Sequence, residues 1–426
     1  MPKPSKALLR RLGWEAFANY ASIVMTLVTT VIVASALGTS DFGLYAGTLS
    51  LMMLVAPFTA LGYGQLLVRE AANADRSIRQ AVEAGLSQFL LGNALGLPVV
   101  IGLGTLLFGS TPRGVIIALA LSELLFGRLI IATRQVGRSI GRGAVSALPH
   151  LASRSLRLGG AAIMVGLDQA TVTNWALLHA LADLGALLIG LRALAYVDAF
   201  PHHLARPSLV RIRAGLVYAF NGSAAGLKND ADKAMLLAFG LPEAAGAYAI
   251  AYRGINAAQQ PLIALLNAST SSFFSTARTR PESMLRLAVK YSRVALAYGA
   301  TATVGLWLTA PWLAAVLGDE YGEVTSIVRW LSPLPMLISL HLFASRSLTA
   351  TDRQGLVAII AIGGAAVNLA ANWALIPREG WMGAVISTLL TDAAILLALW
   401  LALTKTQPRT TNLDPPDVGG PQEQPV

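Results

Sequence analysis

Runs of about twenty apolar residues recur along the whole chain, and a helix needs about this length to cross the hydrocarbon core of a bilayer. Charged residues make up 13% of the sequence and apolar residues 55%, whereas a soluble domain has roughly 25% charged residues. So little charge cannot cover the water-facing surface of a 426-residue protein, which excludes a soluble enzyme, a nucleic-acid-binding protein and a disordered chain. The sequence therefore predicts an all-α, polytopic membrane protein.

Twelve transmembrane helices account for these runs. With the N-terminus inside, basic residues collect in the inner segments, and the outer loops hold only Arg113 and Arg378. The net charge of +10 is therefore interpreted as a topology signal, and the basic residues of the inner loops are expected to contact anionic lipid headgroups. Both chain termini are expected in the cytoplasm. The predicted spans are residues 14–37, 43–64, 84–109, 114–133, 145–166, 172–197, 212–240, 245–272, 290–316, 324–347, 354–376 and 381–404.

The sequence lacks the common signatures of catalysis. It has no cysteine, no phosphate-binding P-loop, no zinc-protease motif and no nucleophile elbow. We therefore expect no catalytic residue, no metal and no cofactor. The proline-rich segment 405–426 is expected to be a disordered cytoplasmic tail.

A short motif recurs at about half the length of the membrane portion. Gly43-Leu-Tyr45 and Gly246-Ala-Tyr248 each begin the second helix of a predicted hairpin, and they lie 203 residues apart. The match in position and orientation predicts two six-helix lobes, residues 1–200 and 201–404, related by an axis along the membrane normal. Two such lobes with a cleft between them suit alternating access.

Three basic residues follow one face of the fifth predicted helix. His150, Arg154 and Arg157 recur at i, i+4 and i+7, and the arginines lie roughly 12–18 Å inside the helix end at 1.5 Å per residue. No acid lies within a turn of them on this helix, so a cavity that receives an anionic group is the favoured interpretation. Polar contacts between packed helices are the structural alternative.

Two further helices carry charges at membrane depth. Lys228 and Asp232 at i, i+4, and Asp230 and Lys233 at i, i+3, can neutralise one another. Asp232 and Arg253 lie at equal depth on either side of the turn at Pro242, so an interhelical pair is also predicted. Polar stripes run along the first predicted helix (Glu15, Asn19, Ser22, Thr26, Thr29) and along the eighth (Arg253, Asn256, Gln260, Asn267, Ser271).

Several buried acids are candidates for ion coupling. His179 and Asp183 at i, i+4 could share a proton, although a structural polar pair is the favoured explanation of this spacing. Glu123 and Asp392 are interpreted as lone acids inside the membrane, and Asp232 joins them as a candidate. Candidate substrate-binding residues are Arg154, Arg157, His150, Lys228 and Arg253.

The order of these motifs resembles the lipid-linked oligosaccharide flippases, the polysaccharide-transport branch of the MOP exporter superfamily. The resemblance rests on Leu37-Gly-x-x-x-Phe-Gly-x-Tyr45, on Asp232 to Tyr248, on Leu317-Gly-Asp-Glu-Tyr321 and on Asn368-x-x-x-Asn372 to Ala384. It covers residues 10–404. It implies two six-helix lobes and a cationic cavity for a diphosphate, and no motif fixes which acid couples transport to an ion.

The resemblance implies a non-enzymatic flippase of the bacterial inner membrane. It would move an undecaprenyl-diphosphate-linked oligosaccharide to the periplasmic leaflet for surface polysaccharide synthesis, with a polysaccharide polymerase and export machinery as further candidate partners. A multidrug or cation antiporter of the same superfamily is an alternative and would favour an acid-rich cavity. A membrane glycan polymerase or glycosyltransferase is the alternative from another class and would call for a long external loop.

Overall fold

The computed structural model describes residues 6–71 and 77–405, with the side chains of that part except those of 6–16, 71, 221–222, 224–225 and 227–229. The predicted tail beyond Lys405 lies outside the described residues, as does the side chain of Glu15. The described residues form helices joined by short turns, without β-strands. The N-terminal lobe contains α1 (Lys6–Thr59), α2 (Tyr63–Ala71), α3 (Ile78–Leu107), α4 (Arg113–Ala120), α5 (Gly127–Ser139), α6 (Gly143–Gly166) and α7 (Val172–Tyr196).

The C-terminal lobe repeats this plan. Short 3₁₀ turns at Pro281–Ser283 and Asp319–Tyr321 connect its longer helices. Its helices are α8 (Leu209–Ala238), α9 (Pro242–Thr279), α10 (Met284–Leu317), α11 (Gly322–Leu331), α12 (Leu334–Ala350), α13 (Gln354–Glu379) and α14 (Trp381–Lys405).

Each of the predicted spans has a counterpart in these helices. The long helix α1 contains the first two spans and bends at Gly38, whose φ of 75° is a conformation that glycine adopts without strain. A π-helical segment, Leu121–Phe126, joins α4 to α5 into the fourth span, and α11 with α12 forms the tenth. The all-α, two-lobed fold class is confirmed.

Not every span is recognisable by composition. Among the described residues, eight helices are long and apolar enough to cross a membrane. Helices α6, α8 and α9 are not among them, and they carry Arg154, Asp232 and Arg253. Polar residues at membrane depth usually face a cavity or a partner, so we expect these three helices to turn their charged residues toward the interior of the bundle.

The repeated glycines lie against each other across the boundary between the lobes. A Cβ atom on Gly43 would stand 1.7 Å from the Pro242 carbonyl oxygen, and one on Gly246 would stand 2.2 Å from the Thr39 carbonyl oxygen. No side chain fits between two backbones at these distances. The glycines of the repeat thus allow α1 and α9 to touch where each lobe begins its second span.

The hydrophobic core shows on which side the lobes separate. We call the end of the bundle where α1 begins and α14 ends the terminal face, and the opposite end the far face. Toward the far face, one continuous core joins both lobes and includes Tyr45, Tyr248 and Tyr321. Toward the terminal face, each lobe has a core of its own, around Phe89 in the N-terminal lobe and Phe273 in the C-terminal lobe. The cleft between the lobes is therefore closed at the far face.

Polar contacts also tie the lobes together at the far face. The hydroxyl of Tyr321 donates a hydrogen bond of 2.9 Å to the Ala34 carbonyl, and the backbone N–H of Thr39 lies 3.4 Å from Glu320 Oε2. Burial raises the pKa of the Tyr321 phenol, which keeps the hydroxyl protonated and able to donate.

Candidate functional site: a basic cavity between the lobes

Two neighbouring cavities lie between the lobes and share Thr26, Arg154 and Arg253 in their walls. The inner one has a volume of about 170 Å³ and the outer one about 660 Å³. The outer cavity extends along α1 and α9 as far as Asn19 and Asn267, toward the terminal face. Cavities of this combined size lie within the range of small-molecule sites in proteins.

The predicted polar stripes of the first and eighth spans form opposite walls of this space. Asn19, Ser22 and Thr26 line it from α1, and Asn256, Gln260 and Asn267 line it from α9. The hydroxyls of Ser22 and Thr26 form hydrogen bonds with backbone carbonyls of α1 itself. For example, Ser22 Oγ donates to the Ala18 carbonyl at 2.6 Å. Away from Arg154, Arg253 and His150, the outer cavity therefore has neutral, polar walls in which hydroxyl and amide groups alternate with apolar side chains.

Arg154 and Arg253 face each other across this space from α6 and α9. Neither arginine forms an ion pair or a hydrogen bond with another described residue. His150 lines the outer cavity one turn before Arg154. Guanidinium groups carry a fixed fork of N–H donors that suits phosphate, so two uncommitted guanidinium groups create a site for an anion.

Arg157 also lines the inner cavity, but acids from other helices neutralise it. Its NH2 group lies 2.5 Å from Asp183 Oδ2 on α7 and 3.2 Å from Glu123 Oε1 in the π-helical segment. The sequence had shown no acid near Arg157 on α6, and the structure supplies two from neighbouring helices. Glu123 is therefore not the lone acid that was expected.

His179 belongs to the same cluster and contacts both acids. Its Nε2 lies 3.2 Å from Glu123 Oε1 and 3.8 Å from Asp183 Oδ2, and its Nδ1 lies 3.1 Å from the Tyr45 hydroxyl. The nearer partner is Glu123, so the predicted i, i+4 pair with Asp183 is the weaker contact. Asp183 instead accepts hydrogen bonds from Ser122 at 2.7 Å and Ser153 at 2.6 Å.

The two carboxylates and the imidazole of this cluster have the spacing of a metal site. Glu123, His179 and Asp183 each present one ligand atom, and these atoms lie within 4.8 Å of one another. However, the Arg157 guanidinium already donates to both carboxylates. A divalent ion would have to displace that cation, so this geometry fits an arginine better than a metal.

Asp232 on α8 is the centre of a second buried polar cluster, in the C-terminal lobe, and is fully buried. Its Oδ2 accepts hydrogen bonds from Tyr248 at 2.8 Å and Thr388 at 2.9 Å, and its Oδ1 accepts one from Asn372 at 2.6 Å. The predicted pair between Asp232 and Arg253 is therefore wrong. Tyr248 and Arg253 lie on α9 with roughly 140° of helical rotation between them, so the helix that points Tyr248 at Asp232 points Arg253 away.

The remaining charged candidates are also placed. Lys233 Nζ lies 2.7 Å from Asp230 Oδ1, as the spacing predicted, whereas the side chain of Lys228 lies outside the described part of the structure. Asp392 is not a lone acid, because its Oδ1 lies 3.2 Å from His341 Nε2 on α12. The long-range contact with His341 has no signature in the sequence.

Some residues of the two buried clusters were missed by the sequence analysis. Tyr45 and Tyr248, the last residues of the repeated motif, reach His179 in one lobe and Asp232 in the other. Their equivalent placement is the signal that could have found them, since the repeat pairs them. Asn372 belongs to the motif that carries the family resemblance, whereas Ser122, Ser153 and Thr388 are ordinary small polar residues in apolar runs that nothing in the sequence distinguishes.

Comparison with known proteins agrees with this architecture. Residues 8–275 match the model of the family described as polysaccharide biosynthesis protein. A search of curated proteins found no sequence that matches the chain.

Solved structures resemble the whole chain. An inward-facing multidrug resistance MATE family transporter of the MOP superfamily has a TM-score of 0.70 at 17% identity, over 89% of this chain and 94% of that one. The lipid II flippase MurJ in an inward closed conformation has a TM-score of 0.68 at 11% identity, over 91% and 87%. An outward-facing MATE transporter has a TM-score of 0.53 at 16% identity, over 91% and 97%.

At these identities the structural likeness establishes the fold, and the family match covers more than half of the sequence. The resemblance drawn from the sequence motifs is thereby confirmed. The chain belongs to the polysaccharide biosynthesis protein family, and it has the membrane-transporter fold of the MOP superfamily.

Proposed function

We propose that the protein is a flippase that moves an undecaprenyl-diphosphate-linked oligosaccharide across the membrane by alternating access. The observation that carries this proposal is the pair of uncommitted arginines, Arg154 and Arg253, in the cavity between the lobes. The diphosphate is the part of such a substrate whose negative charge most needs to be compensated inside a membrane. Two guanidinium groups offer it charge and paired N–H donors at once.

The walls of the outer cavity suit the sugar portion of this substrate. Asn19, Asn256, Gln260 and Asn267 present amide groups, each of which both donates and accepts hydrogen bonds. Sugar hydroxyls have the same dual character, so they can replace water along these walls. Thus the inner, basic end would hold the diphosphate and the outer, amide-lined end the glycan.

Arg157 and His150 have supporting roles in this proposal. Arg157 is held by Asp183 and Glu123, so it contributes positive potential and a rigid wall rather than a free donor set. His150 lines the outer cavity near Arg154 and can donate a hydrogen bond to a phosphate oxygen. Lys228 stays a candidate whose side chain lies outside the described residues.

The direction of transport follows from the topology that the basic loops predict. If the terminal face is cytoplasmic, the cavity of this conformation receives substrate from the cytoplasm, and opening of the far face would release it into the periplasmic leaflet. The separate cores at the terminal face support this assignment. The higher TM-score to the inward-facing than to the outward-facing MATE transporter supports it as well. We place the boundary of the two rigid lobes near residue 200.

The charge of the cavity favours this function over a cation antiporter. The lining of the inner cavity carries Arg154, Arg157 and Arg253, and its carboxylate, Glu123, already contacts Arg157. A cationic drug would meet repulsion here, whereas an anionic headgroup would be attracted. A non-enzymatic role agrees with the family and with the transporters and flippase of the same fold.

We further propose that the cluster around His179 couples transport to protons. Glu123, Asp183 and Arg157 together carry one net negative charge when all are ionised, and a buried site disfavours such an excess. A proton on His179 or on a carboxyl group would make the cluster neutral. Asp232 and Asp392, which are also buried, are the corresponding candidates in the C-terminal lobe.

Export of the glycan in cells tests the proposed function. Arg154→Gln and Arg253→Gln should each reduce surface glycan at least about tenfold, because each loses a charged hydrogen-bonding partner of the diphosphate. Arg113→Gln, which removes an exposed arginine at the far face, is the matched control and should export normally. Normal export by the Arg154→Gln, Arg253→Gln double variant, at the wild-type protein level in the membrane, would contradict the proposal.

Coupling is tested separately in vesicles. Transport into proteoliposomes should increase with an imposed pH gradient, and Asp183→Asn should remove that increase. An Asp183→Asn protein whose transport responds to the gradient as the wild type does would disprove the role of this cluster, without affecting the assignment of the substrate.

A further inference from the structure

A second polar cavity lies elsewhere between the lobes and is not part of the site described above. Its volume is about 350 Å³. The N-terminal lobe supplies walls from the end of α1, from α2 and from α5, and the C-terminal lobe supplies Tyr218 and Ala219 from α8. Near it the two lobes touch closely, since a Cβ on Gly62 would stand 2.1 Å from the Gly215 carbonyl oxygen.

A cation points into this cavity at membrane depth. Arg128 lies on α5, roughly 16 Å along the helix from its last residue, Ser139. It forms no ion pair or hydrogen bond with another described residue, and the carboxylate that influences it most, Glu123, is engaged by Arg157 and His179. A charged side chain so placed, without a partner acid, usually marks a site that meets a ligand.

Neutral polar residues line the cavity beside Arg128. Tyr63 and Tyr218 lie in its wall, and neither phenol forms a hydrogen bond with a described residue. Gln135 adds an amide to the same wall, and its N–H group can donate to an anion. A guanidinium, two phenols and an amide around an open volume can supply N–H and O–H donors to a phosphate.

The cavity is open at one edge. Gln65 and Ile131, which line it, are both exposed. From Arg128, α5 runs toward the terminal face and carries Gln135 of the cavity wall on the way, so the cavity lies in the half of the membrane on that side. A phospholipid of this leaflet could place its phosphate between α2, α5 and α8.

We propose that this cavity is an anion-binding site for the phosphate group of a membrane lipid headgroup or of free phosphate, with Arg128 as its principal contact. Because both lobes form its walls, an occupied site ties them together in the present conformation. Its ligand would thereby favour the state in which the substrate cavity is open toward the terminal face. The proposal does not depend on what the main cavity transports.

The absence of cysteine from the sequence provides a direct assay. A Gln65→Cys variant places one thiol at the rim of the cavity, and a Ser110→Cys variant places one on the exposed far-face loop as a control. The rate of labelling by a water-soluble maleimide is measured in three preparations. These are phosphatidylcholine proteoliposomes, proteoliposomes that also contain phosphatidylglycerol, and phosphatidylcholine proteoliposomes with added inorganic phosphate.

Labelling of Gln65→Cys should slow about tenfold where the ligand is present, and the arm in which it slows identifies the lipid or the free anion as the source. Arg128→Gln in the same background should abolish the protection, and Ser110→Cys should label at one rate throughout. Equal rates in all three arms would overturn the proposal, and so would protection that survives Arg128→Gln.

A second variant avoids dependence on the folding of Arg128→Gln. Ala219→Leu adds bulk to the α8 wall of the cavity and leaves the cation in place. It should also abolish protection of Gln65→Cys. Protection that persists in Ala219→Leu, with the full slowing of the parent, would contradict the assignment of the ligand to this cavity.

Discussion

At the scale of single residues, the two lobes stabilise buried carboxylates in different ways. In the N-terminal lobe a cation, Arg157, forms ion pairs with Asp183 and Glu123. In the C-terminal lobe the described donors to Asp232 are neutral: Tyr248, Thr388 and Asn372. Removal of a partner should therefore have different consequences in each lobe.

Tyr248→Phe removes one of the two hydrogen bonds to Asp232 Oδ2 and should lower the free energy of unfolding by about 0.5–1.5 kcal/mol, the usual net contribution of one hydrogen bond. Unfolding in detergent measures this loss. Tyr196→Phe is the control, because Tyr196 is 84% exposed and makes no described hydrogen bond. Equal stability of the two variants would show that the Tyr248 hydroxyl contributes nothing.

Asp183→Asn breaks a buried ion pair and should destabilise the protein by about 3–5 kcal/mol, because Arg157 keeps a buried and less compensated charge. Asp198→Asn is the matched control, since Asp198 pairs with Arg79 at an exposed site, where an ion pair contributes at most about 1 kcal/mol. A loss of stability in Asp183→Asn no larger than in Asp198→Asn would contradict the proposed importance of the buried cluster.

Single residues also show where prediction from sequence stops. Spacing along α6 correctly put Arg154 and Arg157 on one stripe, and both line the inner cavity. Depth in the membrane correctly suggested that Asp232 seeks a partner. The choice of partner failed because it depends on how each helix is rotated, and Tyr248 rather than Arg253 faces Asp232. Apolar periodicity does not determine that rotation when polar residues occur on several faces.

At the scale of helices, close contacts between backbones determine how α1 and α9 cross. The repeated Gly43 and Gly246 bring these helices together where the lobes meet. The sequence could predict most spans from length and apolar composition, which the bilayer sets, whereas α6, α8 and α9 also needed the charge pattern of the loops. It could not predict that the repeated glycines touch one another, since a repeat shows that two positions are equivalent in the two lobes but not that they lie in contact.

Gly43→Ala should destabilise the protein by about 1–3 kcal/mol, because its methyl group would overlap the Pro242 carbonyl and force α1 from α9. Gly102→Ala in α3 is the control: no atom lies within 4 Å of its Cβ, and alanine favours a helix over glycine by about 0.5–1 kcal/mol. The two variants should therefore shift the unfolding transition in opposite directions. A shift in the same direction would show that the contact at Gly43 yields easily.

At the scale of the whole molecule, the continuous core at the far face and the separate cores at the terminal face define the state of the transporter. Alternating access requires the first core to divide and the cavity to open on that side. Polar contacts that cross the lobes at the far face, such as that from Tyr321 to Ala34, should then set how often this occurs.

Tyr321→Phe should increase access to the cavity from the far face roughly fivefold, because a hydrogen bond contributes about 1 kcal/mol. A Thr29→Cys thiol in the inner cavity, labelled by an impermeant reagent from that side, reports the change. Tyr298→Phe is the matched control, since Tyr298 donates to the Ala258 carbonyl within one lobe. An equal increase in both variants, or none in Tyr321→Phe, would contradict the role of this contact as a seal.

The central claim is that Arg154 and Arg253 hold the diphosphate of a lipid-linked sugar, and binding of the lipid carrier to the purified protein tests it most directly. Undecaprenyl diphosphate should bind to the wild type, and undecaprenol, which has the same chain without the phosphates, should not. Arg154→Gln should weaken the binding of the diphosphate at least about tenfold, since a charged hydrogen bond contributes about 1.5–3 kcal/mol. Equal affinity for the two lipids, or an Arg154→Gln, Arg253→Gln double variant that binds the diphosphate as tightly as the wild type, would contradict the account.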